Sequence, residues 1–342
     1  MNHQPHATHE SHPAHHARWP LELEVVASVP LTAGIRGLTL RSAAGGALPG
    51  FSAGAHIGVQ TAAQETTTAS LDGERSYSLI NSTDQSGRYE IAVKLEPNGR
   101  GGSRRMHALR PGDRIRATLP KNDFALHAGP HETVLIAGGI GITPILSMAR
   151  TLAASSARFQ LHYACRTPED AAFRHEVAQS CGAHAHLYFD HGDPSRGMPL
   201  AQVIGASGAG DLARHLYVCG PRPLIDAVIA TARVLQWPED HVHFELFGAP
   251  TAASGDRACR VELRRSGRTL EVAPGQSILD AMIAGGLDPL FDCRRGECGV
   301  CALRVLEGTP DHRDYALGDE EREHQMCVCV SRWHTETLVL DA

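Results

Sequence analysis

The stretch FDCRRGECGVCALRV, residues 291–305, places cysteines at 293, 298 and 301, and a fourth, Cys329, follows on an apolar segment expected to be a strand. Cys-x4-Cys-x2-Cys with one distant partner is the plant-type spacing for a [2Fe–2S] cluster, whose first three ligands share one loop. Soft iron–sulfide chemistry calls for thiolates, and a loop lets backbone N–H groups point at the sulfurs. Gly296 and Gly299 allow the backbone to close without β-carbon clashes. A zinc site would carry two short Cys-x2-Cys pairs or histidine partners, and Cys327-x-Cys329 is too tight for the second pair. On a regular strand Cys327 and Cys329 share one face, so alternation does not choose between them.

Working outward from the cluster, "CRVELRRSGRTLEVAP" (259–274) reads as a hairpin turning at Ser266-Gly267, and "QSILDAMIAGG" (276–286) as a helix. Small polar residues at 249–256 read as a linker. Before it, "TVLIAGGI" (133–140), "FQLHYACR" (159–166), "AHLYFD" (185–190), "HLYVCG" (215–220) and "VHFELF" (242–247) are apolar strands. They alternate with helical spacing at 143–154 and 223–236, the pattern of a parallel α/β sheet. Earlier still, strands at 21–29, 35–42, 56–60, 75–81, 89–96 and 113–120, punctuated by glycine and proline, predict a small antiparallel barrel. Three domains are therefore expected: a barrel over 19–128, an α/β sheet over 129–248 and a β-grasp-like cluster domain over 257–342. The segment 1–18, with histidines at 3, 6, 9, 12, 15 and 16, has nothing to bury and is expected to be a disordered, solvated tail, with adventitious metal binding as the alternative.

Composition narrows the function. Of the 342 residues 42% are hydrophobic and 20% charged, and the net charge of −6 offers no basic field for nucleic acid. The longest run free of both charge and histidine, Thr133 to Ala149, falls short of the ~20 residues that span a bilayer. No secretory signal is seen, and nine cysteines, an odd number, argue for thiols and metal ligands in a reducing cytoplasm.

Two further motifs carry chemistry. Arg75-Ser76-Tyr77-Ser78 sets an arginine and an aromatic on one strand face, suited to holding a phosphate and covering a flat ring; alone, it would also suit a surface strand. "GRGGSRRMH" (99–107) supplies a glycine run opening a helix, an anion site reinforced by Arg100, Arg104 and Arg105. "GGIGITP" (138–144) lies between a strand and a helix, where an open α/β sheet binds dinucleotides, although it lacks the G-x-G-x-x-G spacing. Cys219-Gly220-Pro221 ends another strand of that sheet and would form the second lobe of the same cleft. Either could be a plain tight turn in isolation.

In this order, from Trp19 to Ala342, the motifs resemble the phthalate dioxygenase reductase family, and most closely the vanillate O-demethylase reductases among the reductases of class IA Rieske oxygenases. The resemblance implies FMN on Arg75, Ser76, Tyr77 and Ser78, with its phosphate at Gly101, Gly102 and Ser103. It further implies a backbone contact to the flavin ring at Val93 and Lys94, and Phe247 near the ring. It implies NADH on Gly138, Gly139, Gly141, Thr143, Pro144, Cys219, Gly220 and Pro221, with Ser78 and Cys219 lining the hydride path. The cluster ligands become Cys293, Cys298, Cys301 and Cys329, because the family pattern puts the fourth ligand in Cys-Val-Ser-Arg. NADH is preferred to NADPH because Glu169 and Asp170 stand where a 2′-phosphate would want cations.

The implied role is conversion of a two-electron hydride donor into single electrons for a separate Rieske-type oxygenase attacking an aromatic acid, aryl ether or quaternary amine. No Rieske ligand pair or mononuclear iron triad is evident in the chain. From Arg257 onward 15 acidic and 11 basic residues make a mildly acidic partner for such an oxygenase. A monomer is expected. The rival readings are a stand-alone NADH oxidase or flavin reductase and an iron–sulfur redox sensor.

Overall fold

The computed structural model describes residues 19–61, 73–85, 87–129, 131–205, 213–248 and 255–342, so the predicted His-rich tail and most of the predicted linker lie outside the described residues. The chain forms two compact units, one ending at Phe244 and one comprising Glu245–Ala342.

The first unit begins with β1 (Leu21–Pro30), β2 (Ile35–Ser42), β3 (His56–Gln60), β4 (Glu74–Ser78), β5 (Tyr89–Lys94), helix α1 (Gly102–Ala108) and β6 (Arg114–Ala117). The six strands pair antiparallel in the order β4-β3-β6-β1-β2-β5. Just past β4, Ile80 N–H donates to the Glu90 carbonyl at 2.9 Å, and Asn81 Oδ1 accepts from Glu90 N–H at 3.0 Å. The two ends of the strand order are thereby joined into the expected barrel. Alternating apolar residues fill it, among them Leu23, Val25, Leu40, Ile57, Val59 and Tyr89, all without measurable exposure.

Then follow β7 (Glu132–Gly138), α2 (Ile142–Ala154), β8 (Arg158–Cys165), α3 (Arg174–Cys181), β9 (Ala185–Phe189), α4 (Leu200–Ile204), β10 (Arg214–Cys219), α5 (Arg222–Val234) and β11 (Val242–Glu245). The sheet order is β11-β10-β7-β8-β9, with β10, β7, β8 and β9 parallel. Sequence order reverses between β7 and β10, which opens a crevice at the carboxyl ends of those two strands. The barrel and this sheet are not separate bodies. Ile80 and Ala92 share a buried cluster with Ile142, Ile145 and Leu146 of α2, and Arg150 donates to the Ile80 carbonyl at 2.8 Å.

The second unit holds β12 (Cys259–Leu263), β13 (Arg268–Val272), α6 (Ile278–Ala284), β14 (Ala302–Glu307), β15 (Pro310–Asp311), α7 (Asp319–Arg322), β16 (Gln325–Cys327), β17 (Arg332–Trp333) and β18 (Thr337–Leu340). Five strands form a mixed sheet, β13-β12-β18-β14-β16, with β12 and β18 parallel. Ser277 caps α6 by accepting from Asp280 N–H at 3.0 Å, and Ile278, Leu279 and Met282 pack into the core beneath the sheet.

Three expectations need correction. Cys329 is not on a strand: β16 stops at Cys327, and the carbonyl of Cys327 accepts from Val330 and Ser331 N–H, so a turn carries Cys329. Strand alternation therefore does not apply to the Cys327/Cys329 pair. The expected linker also ends early. Asp256, with its side chain only 2% exposed, holds Arg313 at 2.7 Å and Arg332 at 3.6 Å, so it belongs to the folded unit. Finally, Glu245–Gly248 goes with the C-terminal unit rather than with the α/β domain, where Leu246 N–H donates to Glu297 Oε1.

Candidate cofactor sites

The cluster loop runs from α6 to β14. Gly296 takes φ +81 and Gly299 φ +72, a left-handed backbone that L side chains resist. A β-carbon at Gly296 would lie 2.6 Å from Val330 and 3.0 Å from Asp314 Cα, so the loop presses directly on those two segments. Backbone N–H groups point at sulfur: Arg295 N–H to Cys293 Sγ at 3.4 Å, Val300 N–H to Cys298, and Cys329 N–H to Cys301. The thiols of Cys293 and Cys298 are neighbours, as are those of Cys301 and Cys329, an arrangement suited to two irons sharing two thiolates each. Cys327 also reaches Cys301; S–H donation from Cys327 and then Cys329 pulls the Cys301 thiol down to about 3 and pushes both donors up. Among the described residues no three ligating side chains converge on a single ion. The donor set fits a [2Fe–2S] cluster.

Behind the loop lies a polar support that local sequence did not disclose. Buried Asp314 accepts from Ser331 Oγ at 3.1 Å and from Leu317 N–H at 3.0 Å, while Arg295 pairs with Glu297 at 3.0 Å. These partners are separated by up to 17 positions, and only their types hinted at pairing.

In the barrel, the predicted flavin residues assemble at β4. Residues Arg75 and Tyr77 share a face: burial pushes the Tyr77 phenol up to about 12, with the Arg75 guanidinium acting in the opposite sense. Ser76 is exposed, whereas Ser78 is buried. The glycine run comes to meet this strand. Gly101 takes φ +97, and a β-carbon on Gly102 would stand 3.3 Å from Arg75 Cγ and 3.2 Å from Thr61 Oγ1. Glycine thus permits the first turn of α1 to lie against the arginine. The Ser103 hydroxyl accepts from Glu96 N–H at 3.0 Å, pinning the loop to the end of β5. The Val93 carbonyl bonds His107 Nε2 at 2.8 Å, and Lys94 pairs with Glu96 at 3.1 Å. Phe247 lies in the other compact unit, 41% exposed. Thr61, which no sequence motif contains, stands beside the same turn, its hydroxyl donating to the Gly73 carbonyl at 2.9 Å.

At the strand-order reversal the two nucleotide motifs meet backbone to backbone. A β-carbon on Gly141 would stand 2.1 Å from the Cys219 carbonyl oxygen, and one on Gly220 would stand 3.0 Å from Gly138 Cα. Only glycine fits at 141. Buried Thr143 caps its own turn by donating to the Ile140 carbonyl at 3.1 Å; Pro144, in the first turn of α2, costs no hydrogen bond. Cys219 is fully buried beneath the turn, and Pro221 precedes α5. Strand β5 touches the Gly139–Gly141 turn, so the flavin-side strand and the nucleotide turn line one place. Glu169 and Asp170 follow β8 on a short turn, with Glu169 held below the usual carboxylate range by hydrogen bonds from its own backbone and Thr167.

A barrel whose glycine turn meets Arg75, a parallel sheet with a glycine turn at its reversal and a three-cysteine loop facing further thiols define an oxidoreductase that uses a flavin, a pyridine nucleotide and an iron–sulfur cluster. Comparison with known proteins agrees domain by domain: residues 23–125 match an oxidoreductase FAD-binding domain, 135–229 an oxidoreductase NAD-binding domain and 261–333 a 2Fe-2S iron-sulfur cluster binding domain. The chain is 40% identical over 317 residues to tetrachlorobenzoquinone reductase of Sphingobium chlorophenolicum, covering 90% of this chain and 93% of that one. It is 37% identical to phthalate dioxygenase reductase of Burkholderia cepacia, covering 94% and 97%. It is 38% identical to vanillate O-demethylase oxidoreductase of a Pseudomonas species, covering 87% and 92%. A solved phthalate dioxygenase reductase, described as a modular structure for electron transfer from pyridine nucleotides to [2Fe-2S], superimposes with a TM-score of 0.73 over 94% of this chain and 98% of that one. The chain belongs to the phthalate dioxygenase reductase family.

Proposed function

We propose that this protein is the reductase component of a multicomponent oxygenase, moving electrons from NADH through FMN and a [2Fe–2S] cluster to a separate Rieske-type oxygenase. That oxygenase would act on an aromatic acid, aryl ether or quaternary amine. The observation that carries the reading is the contact of β5 with the Gly139–Gly141 turn, in a chain that also bears the three-cysteine loop and Cys329. When bound, the flavin accepts a hydride and releases electrons singly, which the cluster relays. The protein's part is alignment rather than acid–base chemistry. Arg75 and the Gly101–Ser103 turn hold the phosphate, Tyr77 covers the ring, and the backbone at Val93 and Lys94 borders it. The turn from Gly138 to Pro144 and the Cys219–Pro221 lobe hold the dinucleotide, with buried Ser78 and Cys219 lining the hydride path. Cys329 is the fourth ligand, and the nine free cysteines suit a reducing cytoplasm. NADH is the favoured donor because Glu169 and Asp170 repel a 2′-phosphate.

Among the described residues no helix is long and apolar enough to cross a membrane. The test is reduction of cytochrome c by NADH: it is lost when the cluster is removed, while ferricyanide reduction survives. Cytochrome c reduction that outlives the cluster would instead favour a stand-alone reductase, the kind of activity that the name of the tetrachlorobenzoquinone-reducing relative describes.

Purified protein is expected to hold one FMN and two iron atoms, as one phosphate cradle and four ligands require. Recovery of FAD after denaturing extraction, or of zinc in place of iron, would overturn that assignment.

Arg75→Ala removes a charge-assisted bond to the phosphate, worth about 1.5–3 kcal/mol. The variant is expected to bind FMN some tenfold to a hundredfold more weakly while its cluster spectrum persists. Equilibrium dialysis with FMN measures this, and unchanged affinity would return Arg75 to the surface of the strand.

A further inference from the structure

The dinucleotide turn is held from behind by two side chains that none of the motifs contains. Tyr163 and Cys165 are alternate residues of β8, so both project from one face, and both are buried. The Tyr163 hydroxyl donates to the carbonyl of Gly139 at 3.2 Å. The Gly139 N–H points at the Cys165 sulfur, to which the tyrosine hydroxyl is also bonded. The peptides on both sides of Gly139, a residue at φ +52, are therefore gripped by one strand. Packing extends the grip, because Ala171 and Ala172 lie in the same buried cluster as Tyr163 and Cys165. Ala172 closes the segment that carries Glu169 and Asp170, and Phe173 next to it also takes a left-handed backbone, φ 61. One face of β8 thus supports both the glycine turn, through the Tyr163 hydroxyl, and the acidic turn, through packing on Ala171 and Ala172.

We propose that Tyr163, with Cys165, is a positioning residue for NADH, setting the register between the glycine turn and the carboxylate-bearing turn. This rests on the reading of Gly138–Pro144 as the dinucleotide site. A buried hydroxyl bonded to the turn has little freedom, so the turn is presented to the dinucleotide already ordered and binding does not have to order it. Removing the hydroxyl leaves the Gly139 carbonyl without that partner. The cost falls on dinucleotide binding rather than on hydride transfer once the rings are stacked.

The test is steady-state ferricyanide reduction by the flavin- and cluster-loaded protein. Wild-type protein reduced by NADH establishes the site; failure at that stage would sink the underlying reading and not the clamp. In Tyr163→Phe the KM for NADH is expected to rise about five- to tenfold, with kcat falling less than twofold, since one net hydrogen bond is lost and the transition-state alignment is kept. The preference for NADH over NADPH should narrow, because the acidic turn is no longer registered to the glycine turn. Cys165→Ala should raise KM in the same direction, and Cys165→Ser, which keeps an acceptor for the Gly139 N–H, should restore most of it. An unchanged KM in Tyr163→Phe overturns the proposal. So does an equal fall in kcat and kcat/KM, the signature of a general structural defect, or a serine variant no better than the alanine.

Discussion

Cys329→Ser is expected to abolish the native visible spectrum of the cluster, whereas Cys327→Ser leaves it close to wild type. A hydroxyl is a harder and poorer ligand for iron than a thiolate, so replacing a true ligand removes the cluster or alters it profoundly. Both thiols stand against Cys301, and proximity alone does not separate them. What separates them is backbone. Cys327 ends β16, paired with Ala302, so its main chain is committed to the ladder. Cys329 sits in the following turn and directs its own N–H at the Cys301 sulfur, as a cluster-wrapping segment does. Absorbance and circular dichroism of the purified variants decide the matter. A reversed outcome would place the ligand at the end of β16, and retention of the cluster in both variants would place the fourth ligand elsewhere.

Acid is expected to destabilise the first unit well before its carboxylates titrate. His215 and His243 stack at 5.2 Å with Nδ1 and Nε2 2.9 Å apart; His127 and His241 stack on His215, and His131 meets it edge-on. Burial first, and the neighbouring imidazoles second, lower His215 and His243 to about 4, with Asp240 the one group that pulls His243 back up. His162, stacked on His186 and bonded to Tyr188, is lowered to about 4 in the same way. In the unfolded chain each would titrate near ~6.5. Between pH 6.5 and 4 the unfolded state therefore binds protons that the folded state refuses. Stability is complete above that window and falls as pH drops through it, by up to about 1.4 kcal/mol per pH unit for each imidazole. Discounted for the coupling within the stack, roughly 3 kcal/mol is lost between pH 6.5 and pH 5. Urea midpoints of the loaded protein at pH 7.5, 6.0 and 5.0, followed by flavin release, measure this. A midpoint that stays level across the range would show that the stack tolerates protonation.

That stack was illegible beforehand. Its five members, at 127, 131, 215, 241 and 243, come from a loop, two strands and a short helical turn, and only the parallel sheet brings them to one edge. The Tyr163–Gly139 bond, which spans 24 positions, was hidden for the same reason.

By itself the sequence determined whatever depends on neighbours along the chain. Alternation set the barrel strands, helical spacing set α2, α5 and α6, and the spacing of Cys293, Cys298 and Cys301 set the cluster loop, because each of these is local geometry repeated over a few residues. Only the tertiary structure decided that Gly102 lies against Arg75, that Gly141 packs on the Cys219 carbonyl, and that Asp256 is an anchor rather than linker. It also decided that the chain turns at Cys329 instead of continuing β16. These are contacts between distant segments, fixed by strand order and by the burial of charges that must find partners. No local pattern encodes them, because the partner that makes each one favourable arrives only when the sheets have formed.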